Sequence, residues 1–482
     1  MTETLDTRDI QALVVRGYGN LHAARFLLLQ VRDGRAEQAR GYLRELCARI
    51  DRASEPTGEL ALQIAFTARG LAALGVPERA LATFSRELLE GMDDDVRAQS
   101  LGDRGDNDPS RWEWGRASSP VHAMLMLYAH DDPAFETRVE HEVAKLEAAG
   151  LHVMRQQHTT TLRDHKEHFG WRDGLSLPNI EGVPPERSRK KQQESWTRPI
   201  KPGEFVLGYH NEYDAFSESP TADPADDPAD LLPATADGRK DLGRNGTYLV
   251  YRELVQDVFG LWRYLADSRE PGRDPAERAI ALGAKMVGRW PSGAPLVVSP
   301  ERDEPAHATA NTFLYSKDPA GLSCPIGAHI RRANPRDVLG SGRSTDDSSV
   351  MVRKHQMIRR GRPFGPPVSH AMDPREILAA QPDSVRRGLH FICLVGHISR
   401  QFELVQRAWI HSGNFSGLFK DGDPISAARR PPGDPNPNDE FTCPASPVRR
   451  KYKGMPQFTK LVGGAYFFLP GIAALRFIAR QP

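Results

Sequence analysis

The sequence predicts an α+β protein of 482 residues built as two similar halves. Three observations lead there. An apolar run followed by a helix-spaced segment occurs at 122–149 and again at 389–410, a weak internal duplication. A stretch rich in Asp, Ala and Pro at 214–240 reads as a linker or long surface excursion between them. The length suits one large domain or two ordinary ones, and 39% hydrophobic with 26% charged residues describes a soluble globular chain. The boundary between halves is placed between residues 240 and 241.

The elements follow in order. Residues 12–15 and 26–29 are apolar runs around a Gly-rich turn and read as two strands. A helix near 35–50 presents Ala39, Leu43, Leu46 and Ile50 on one face. Residues 61–92 read as Ala/Leu-rich helical segments broken at Gly75 and Pro77, and 94–119 as a charged, Gly-rich surface loop. A buried strand at 122–128, a helix at 133–149 and a strand at 151–156 complete the first half. The polar, basic stretch 183–203 contains Arg187–Lys191. It reads either as a nucleic-acid or targeting patch or, better by composition, as a solvated loop. In the second half, Tyr248–Tyr251 looks like a strand end. Leu254, Val258, Leu261, Trp262 and Leu265 mark a helix face, Leu389–Leu394 a strand, and Ile398, Phe402, Val405 and Trp409 another helix.

Charge and cysteine content narrow the function. Lys plus Arg is 64 against 63 for Asp plus Glu, net +1, which argues against bulk nucleic-acid binding. Cys47, Cys324, Cys393 and Cys443 have no short spacing, so neither a CxxC metal site nor a disulfide framework is signalled, and a reducing interior suits them. The first residues carry no signal pattern, and no run reaches the roughly 18 apolar residues of a membrane span. The expectation is a cytoplasmic protein without nucleic-acid or membrane partners; a homo-oligomer stays open.

The chemistry gathers on CPIGAHIRRANPRD, 324–337. Small residues, Gly327 and Ala328, precede His329, and Arg331, Arg332 and Arg336 follow it. A flat cofactor could approach such a backbone while arginines hold acidic groups on its rim. GWRDG (170–174) and RRGRPFG (359–365) lie on either side in sequence. Together these motifs resemble the dye-decolorizing peroxidases, a family of haem enzymes. The likeness extends over most of the chain, through IAFTARGLAALGVP (64–77), DLGRNGTYLVYREL (241–254), AKMVGRWPSGAPL (284–296), QFELVQ (401–406) and GGAYFFLPG (463–471).

The resemblance implies two ferredoxin-like halves, 1–240 with the GxxDG motif and 241–482 with the haem ligand, packed as a dimeric-type α+β barrel. It implies one non-covalent haem b per chain; no CxxCH appears for covalent attachment. It makes His329 the axial ligand of the iron, Asp173 the acid–base group and Arg359 the fixed cation, with Leu389 and Phe391 lining the pocket. Read alone, Asp173 is better taken as a turn residue capping its own backbone, and Arg359 or its neighbour Arg360 as a surface charge. Arg336 either contacts a haem propionate or supports its loop. The iron-bound histidine should pass its other ring N–H to an acceptor. Asp423 is the candidate, with a turn ahead of Pro424 as its other reading and His397 as a weaker competitor. The cluster His152, His158, His165 and His168 has no recognised ligand spacing. The implied activity is oxidation of dyes, phenols and similar small aromatic reductants by hydrogen peroxide. A haem-handling protein for storage, transfer or iron release is the alternative.

Overall fold

The computed structural model describes residues 4–131, 133–183, 195–268, 274–339, 344–431 and 433–481; the basic run 187–191 lies outside them. The first half comprises β1 (Ala23–Val31), α1 (Ala36–Leu46), β2 (Leu60–Phe66) and the short helices α2 (Ala68–Ala73), α3 (Glu78–Leu81), α4 (Arg86–Glu90) and α5 (Asp95–Leu101). It closes with β3 (Ala123–Ala129), α6 (Ala134–Ala148) and β4 (Leu151–His158). A small hairpin, β5 (Thr221–Ala222) with β6 (Lys240–Asp241), bridges to the second half. That half runs β7 (Thr247–Gln256), α7 (Val258–Ala266), α8 (Pro275–Val287), α9 (His329–Ala333), α10 (Thr345–Arg353), β8 (Ile358–Arg359), β9 (Arg362–Phe364), α11 (Pro374–Ala379) and β10 (Gly388–Val395). After a long helical segment at 399–411 come β11 (Phe441–Cys443), β12 (Arg450–Tyr452), β13 (Thr459–Leu469) and α12 (Ile472–Ile478).

One antiparallel nine-stranded sheet holds both halves, in the order β4-β1-β3-β2-β13-β7-β10-β8, with β9 also on β10. Each half shows the same internal order. The strands numbered first to fourth within a half lie 4-1-3-2, counting β8 and β9 together as the second strand of the latter half. This is an α+β architecture of two ferredoxin-like repeats. The halves meet where Phe468 of β13 pairs with Phe66 of β2. They meet again at the far edge, where Thr160 N donates to Pro363 O at 2.8 Å and the His390 ring to His158 O at 2.9 Å. The sheet therefore curls around an interior core.

Strands β1, β2 and β3 are apolar on both sides because both sides are covered, whereas the edge strand β4 is polar and partly exposed. Phe26 and Leu28 of β1 point into the interior with Met126, Tyr128, Tyr251 and Ile392, while Leu27 and Leu29 pack outward under the helices. Phe26 is fully buried, its ring 5.8 Å from Tyr128, 6.4 Å from Tyr251 and 5.7 Å from His390. Among the described residues no helix is long and apolar enough to cross a membrane.

Four local expectations are corrected. Residues 12–14 form a 3-10 turn, not a strand. Their backbone polar groups are taken by side chains, Leu13 N by Gln63 and the Leu13 and Val14 carbonyls by Arg360. Residues 60–66, read as helical, form β2, because a central position between β3 and β13 buries both faces. Leu254 belongs to β7, and the helix starts only after Asp257, whose carboxylate caps Gly260 N at 2.8 Å. The segment 94–119 is not a surface loop. It contains α5 and sends Asp103, Trp112 and Trp114 into the core, where Asp103 forms a buried ion pair with Arg252. The segment 399–411 is helical, but its turns are of the wide π type, which puts Phe402, Val405, Gln406 and Ile410 on one cavity wall.

Replacing Phe26 by Ala deletes the ring on which three other rings close. The substitution should cost about 3–5 kcal/mol, read as a lower denaturant midpoint of the apo-protein with an unchanged m-value.

Candidate active site

A cavity of about 280 Å³ opens on the outer face of β7 and β10, away from the interior core. Leu254 and Arg252 from β7 and Leu389 and Phe391 from β10 form its sheet wall. Alternate residues of the same strands, Tyr251, His390 and Ile392, point to the other face, as strand geometry requires. The α9 helix, the 399–411 helix and the loop 167–176 complete the enclosure.

His329 opens α9 and lines the cavity. Its Nδ1 lies 2.9 Å from Asp423 Oδ2, and Asp423 is fully buried behind it. The other carboxylate oxygen accepts Ile425 N at 3.0 Å and Ser426 N at 2.8 Å. A carboxylate held this way can only accept, so Nδ1 carries the proton and Nε2 is left with its lone pair. Burial alone would raise the Asp423 carboxyl; the His329 ring, Ser426 N–H and Arg332 hold it down at about 2. Burial likewise works against a charged His329, but Asp423 outweighs it and raises the imidazole. Gly288 ends α8 with φ +97° and lets it approach α9; a Cβ there would sit 2.5 Å from Ile330 Cγ1. His397 lies elsewhere, its ring accepting from Arg400 N.

Asp173 lies in the loop that starts at Glu167. The Glu167 carboxylate accepts Phe169 N at 2.9 Å, Trp171 N at 3.2 Å and the Gln256 amide at 2.6 Å, tying the loop to β7. Burial pushes the Glu167 carboxyl up to about 7, with the Asp173 charge adding to it. Asp173 Oδ1 pairs with Arg359 Nη2 at 2.9 Å, with both side chains partly open to the cavity. Burial would raise the Asp173 carboxyl, yet Arg359 and the Gly174 N–H hold it below its usual range. Arg359 and Arg360 are adjacent on an extended segment and point oppositely, so Arg360 faces Leu13 and Val14 and not the cavity.

Arg336 is almost fully buried, with φ +54°. That strained backbone is held by its guanidinium, which donates to the Asn311 and Phe313 carbonyls and to Asn311 Oδ1 and lies 3.7 Å from the Phe313 ring centroid. Arg336 therefore supports its loop and also lines the cavity. Sequence reasoning gave no role to Arg289 or Tyr315, which line the cavity beside it. Arg289 Nη2 and Tyr315 Oη are buried without a partner among the described residues. The GRWPSG stretch around Arg289 was a signal for one of them; Tyr315 lies in no motif. Glu167, Arg252 and Gln256 were missed as well. Among the described residues no cluster of His, Cys, Asp and Glu could hold a metal ion; His168 of the histidine group bonds the Phe364 carbonyl at 2.8 Å and His152 pairs with Glu147.

No protein-family model matches the chain. Curated relatives do. A dye-decolorizing peroxidase from Mycena epipterygia is 29% identical over 454 residues, covering 87% of this chain and 76% of its own. A multifunctional dye peroxidase from an Amycolatopsis species is 29% identical over 490 residues, covering 97% and 92%. Over most of its length the chain is similar to dye-decolorizing peroxidases. Among solved structures, a dye-decolorizing peroxidase in complex with 2,6-dimethoxyphenol superposes with a TM-score of 0.76 at 23% identity, over 98% of this chain and all of that one, and so shares its fold.

The cavity suits the family's haem on its own observations. It offers the lone pair of His329 Nε2, apolar walls for a flat ring, and two deeply buried guanidiniums, Arg289 and Arg336, with no carboxylate within ion-pair distance among the described residues. A buried cation without a counter-ion is costly, so that end of the cavity favours anionic groups such as propionates.

In the apo-protein, Arg359→Leu removes the cation that holds Asp173 down. The Asp173 carboxyl should then titrate at higher pH, read from its carboxyl carbon resonance in a labelled sample.

Proposed function

We propose that this protein is a haem-b peroxidase that binds one haem per chain non-covalently through His329, and uses hydrogen peroxide to oxidise dyes, phenols and similar small aromatic one-electron donors. The observation that carries the reading is the presence, in one cavity, of a carboxylate-anchored histidine and an Asp–Arg pair. When bound, a haem would supply the redox chemistry, a two-electron reduction of peroxide balanced by two one-electron oxidations of donors.

The chain's own residues do the rest. Asp423 fixes the tautomer and orientation of His329 and makes its Nε2 a stronger donor to iron. Asp173, held ionised by Arg359, takes a proton from the inner oxygen of peroxide and delivers it to the outer oxygen, so that water can leave. Arg359 keeps a positive charge beside the oxygens where negative charge develops. Leu389 and Phe391 exclude water from that side and so strengthen both effects. An Asp base remains ionised in acid where a histidine base would not. A protein that merely stored or transferred haem would need neither Asp173 nor Arg359. Relatives bearing peroxidase names and the phenol complex of a structural neighbour support the donor class.

Steady-state turnover with peroxide and a dye tests the reading directly; haem uptake without turnover would favour haem handling. His329→Ala should lose or greatly weaken haem binding, seen as a missing or shifted Soret band. Asp173→Asn and Arg359→Leu should retain haem but slow the peroxide reaction by on the order of a hundredfold or more, measured by stopped-flow absorption. In Arg359→Leu the higher Asp173 pKa should also move the acid limb of the pH–rate profile upward. Asp423→Asn should raise the ferric/ferrous potential by tens of millivolts, where about 59 mV is a tenfold change for one electron.

A further inference from the structure

Behind the cavity's sheet wall lies a tyrosine that the proposed chemistry does not use. Tyr251 Oη is 2.9 Å from His390 Nδ1, and both side chains are buried in the interior core. The other ring nitrogen of His390, Nε2, lies 2.9 Å from the His158 carbonyl. A carbonyl only accepts, so Nε2 bears the hydrogen and Nδ1 must accept from the phenol. Burial lowers the His390 imidazole to about 4 and raises the Tyr251 phenol well above its usual range, so the resting pair is a neutral phenol donating to a neutral imidazole. The pair is one sheet layer from the cavity. Tyr251 precedes Arg252 on β7, and His390 stands between Leu389 and Phe391 on β10, all three of these neighbours being cavity residues. Trp114 lies 4.8 Å from the Tyr251 ring, with its indole N–H on Glu253 at 2.7 Å.

We infer that Tyr251 and His390 form a redox site, a one-electron reservoir for the haem when no donor is at hand. The inference rests on the haem-peroxidase reading, and its oxidant is the peroxide-oxidised haem. Tyr251 gives one electron through the sheet wall. Its O–H bond breaks and the proton moves to His390 Nδ1, leaving a neutral phenoxyl radical and an imidazolium. An oxidised phenol is a far stronger acid than imidazolium, so even a weakly basic ring takes the proton, and the nearby Glu253 charge favours the cation. A later donor returns the electron and the proton goes back to the oxygen. The core keeps the radical from solvent.

The test is rapid-freeze EPR of the haem-loaded protein mixed with peroxide and no donor, with the haem absorption followed in parallel. The wild type should give a tyrosyl signal that narrows with ring-deuterated tyrosine. Tyr251→Phe, which removes one oxygen, should lose that signal while the haem absorption still responds. His390→Leu, which removes the proton acceptor, should also lose it. A tyrosyl signal unchanged in Tyr251→Phe, or a haem response with no tyrosyl signal in the wild type, would overturn the assignment. So would a tryptophan-type signal lost in Trp171→Phe, which would put the site on the stacked Trp171–Trp262 pair beside the cavity. A wild-type haem that does not respond to peroxide would remove the peroxidase reading and this inference together.

Discussion

The contact between Asp423 and His329 is the constraint on which the site depends. A histidine at the first position of a five-residue helix has few neighbours to fix its ring. The fixing comes from 94 residues further along the chain, through a carboxylate whose other oxygen is saturated by backbone N–H groups. Because Asp423 cannot turn away without losing those bonds, the ring cannot turn either. The free nitrogen then points into a cavity whose other polar groups are fixed in similar ways, Asp173 through the Glu167 loop and Arg336 through three acceptors. Several groups of the site are thus positioned from outside the cavity, and the cavity surface itself stays largely apolar.

The two halves of the duplicated fold differ in how their outer sheet faces are covered. Both halves present an outer sheet face to helices, but the first covers its face with α1, α2 and α6 and fills it with Leu, Ile and Phe side chains. In the second half, α9 and the π-type helix leave room above β7 and β10. The wide turns of that helix advance its side chains out of α-helical register, so that Phe402, Val405 and Ile410 form one wall while Gln401 turns to the Glu204 and Gln356 carbonyls.

Much of this was legible in the sequence where a motif kept functional residues close together. GWRDG, CPIGAHIRRANPR and RRGRPFG supplied Asp173, His329 and Arg359, and strand alternation put Leu389 and Phe391 on one side. The separation of Arg359 from Arg360 followed from the same alternation. What stayed hidden depended on contacts between distant segments. β2 looked helical because its Ala and Leu content carries no sign of a central strand, and the 94–119 segment looked solvated because its charges find partners only in the fold. Arg289 and Tyr315, whose Nη2 and Oη lack partners among the described residues, could not be told from ordinary core residues, since an absent partner leaves no trace in a linear sequence. The α–β order was readable from periodicity, but the curl of the sheet came only through the resemblance, because the bonds that close it join residues such as Thr160 and Pro363 across the two halves.

The ion pair between Asp103 and Arg252 has a consequence for how the two repeats can be inherited. Arg252 stands in the cavity wall of the latter repeat, and its only carboxylate partner among the described residues comes from the earlier one. Trp114 and Gln157, also from the earlier repeat, both donate to Glu253 beside it. Leaving a buried charge without its partner costs about 3–5 kcal/mol, a large part of the margin that keeps an ordinary domain folded. The repeats can therefore diverge in sequence but not be recombined freely. A latter repeat joined to a foreign first repeat would arrive with a cation and a carboxylate facing partners that are no longer there.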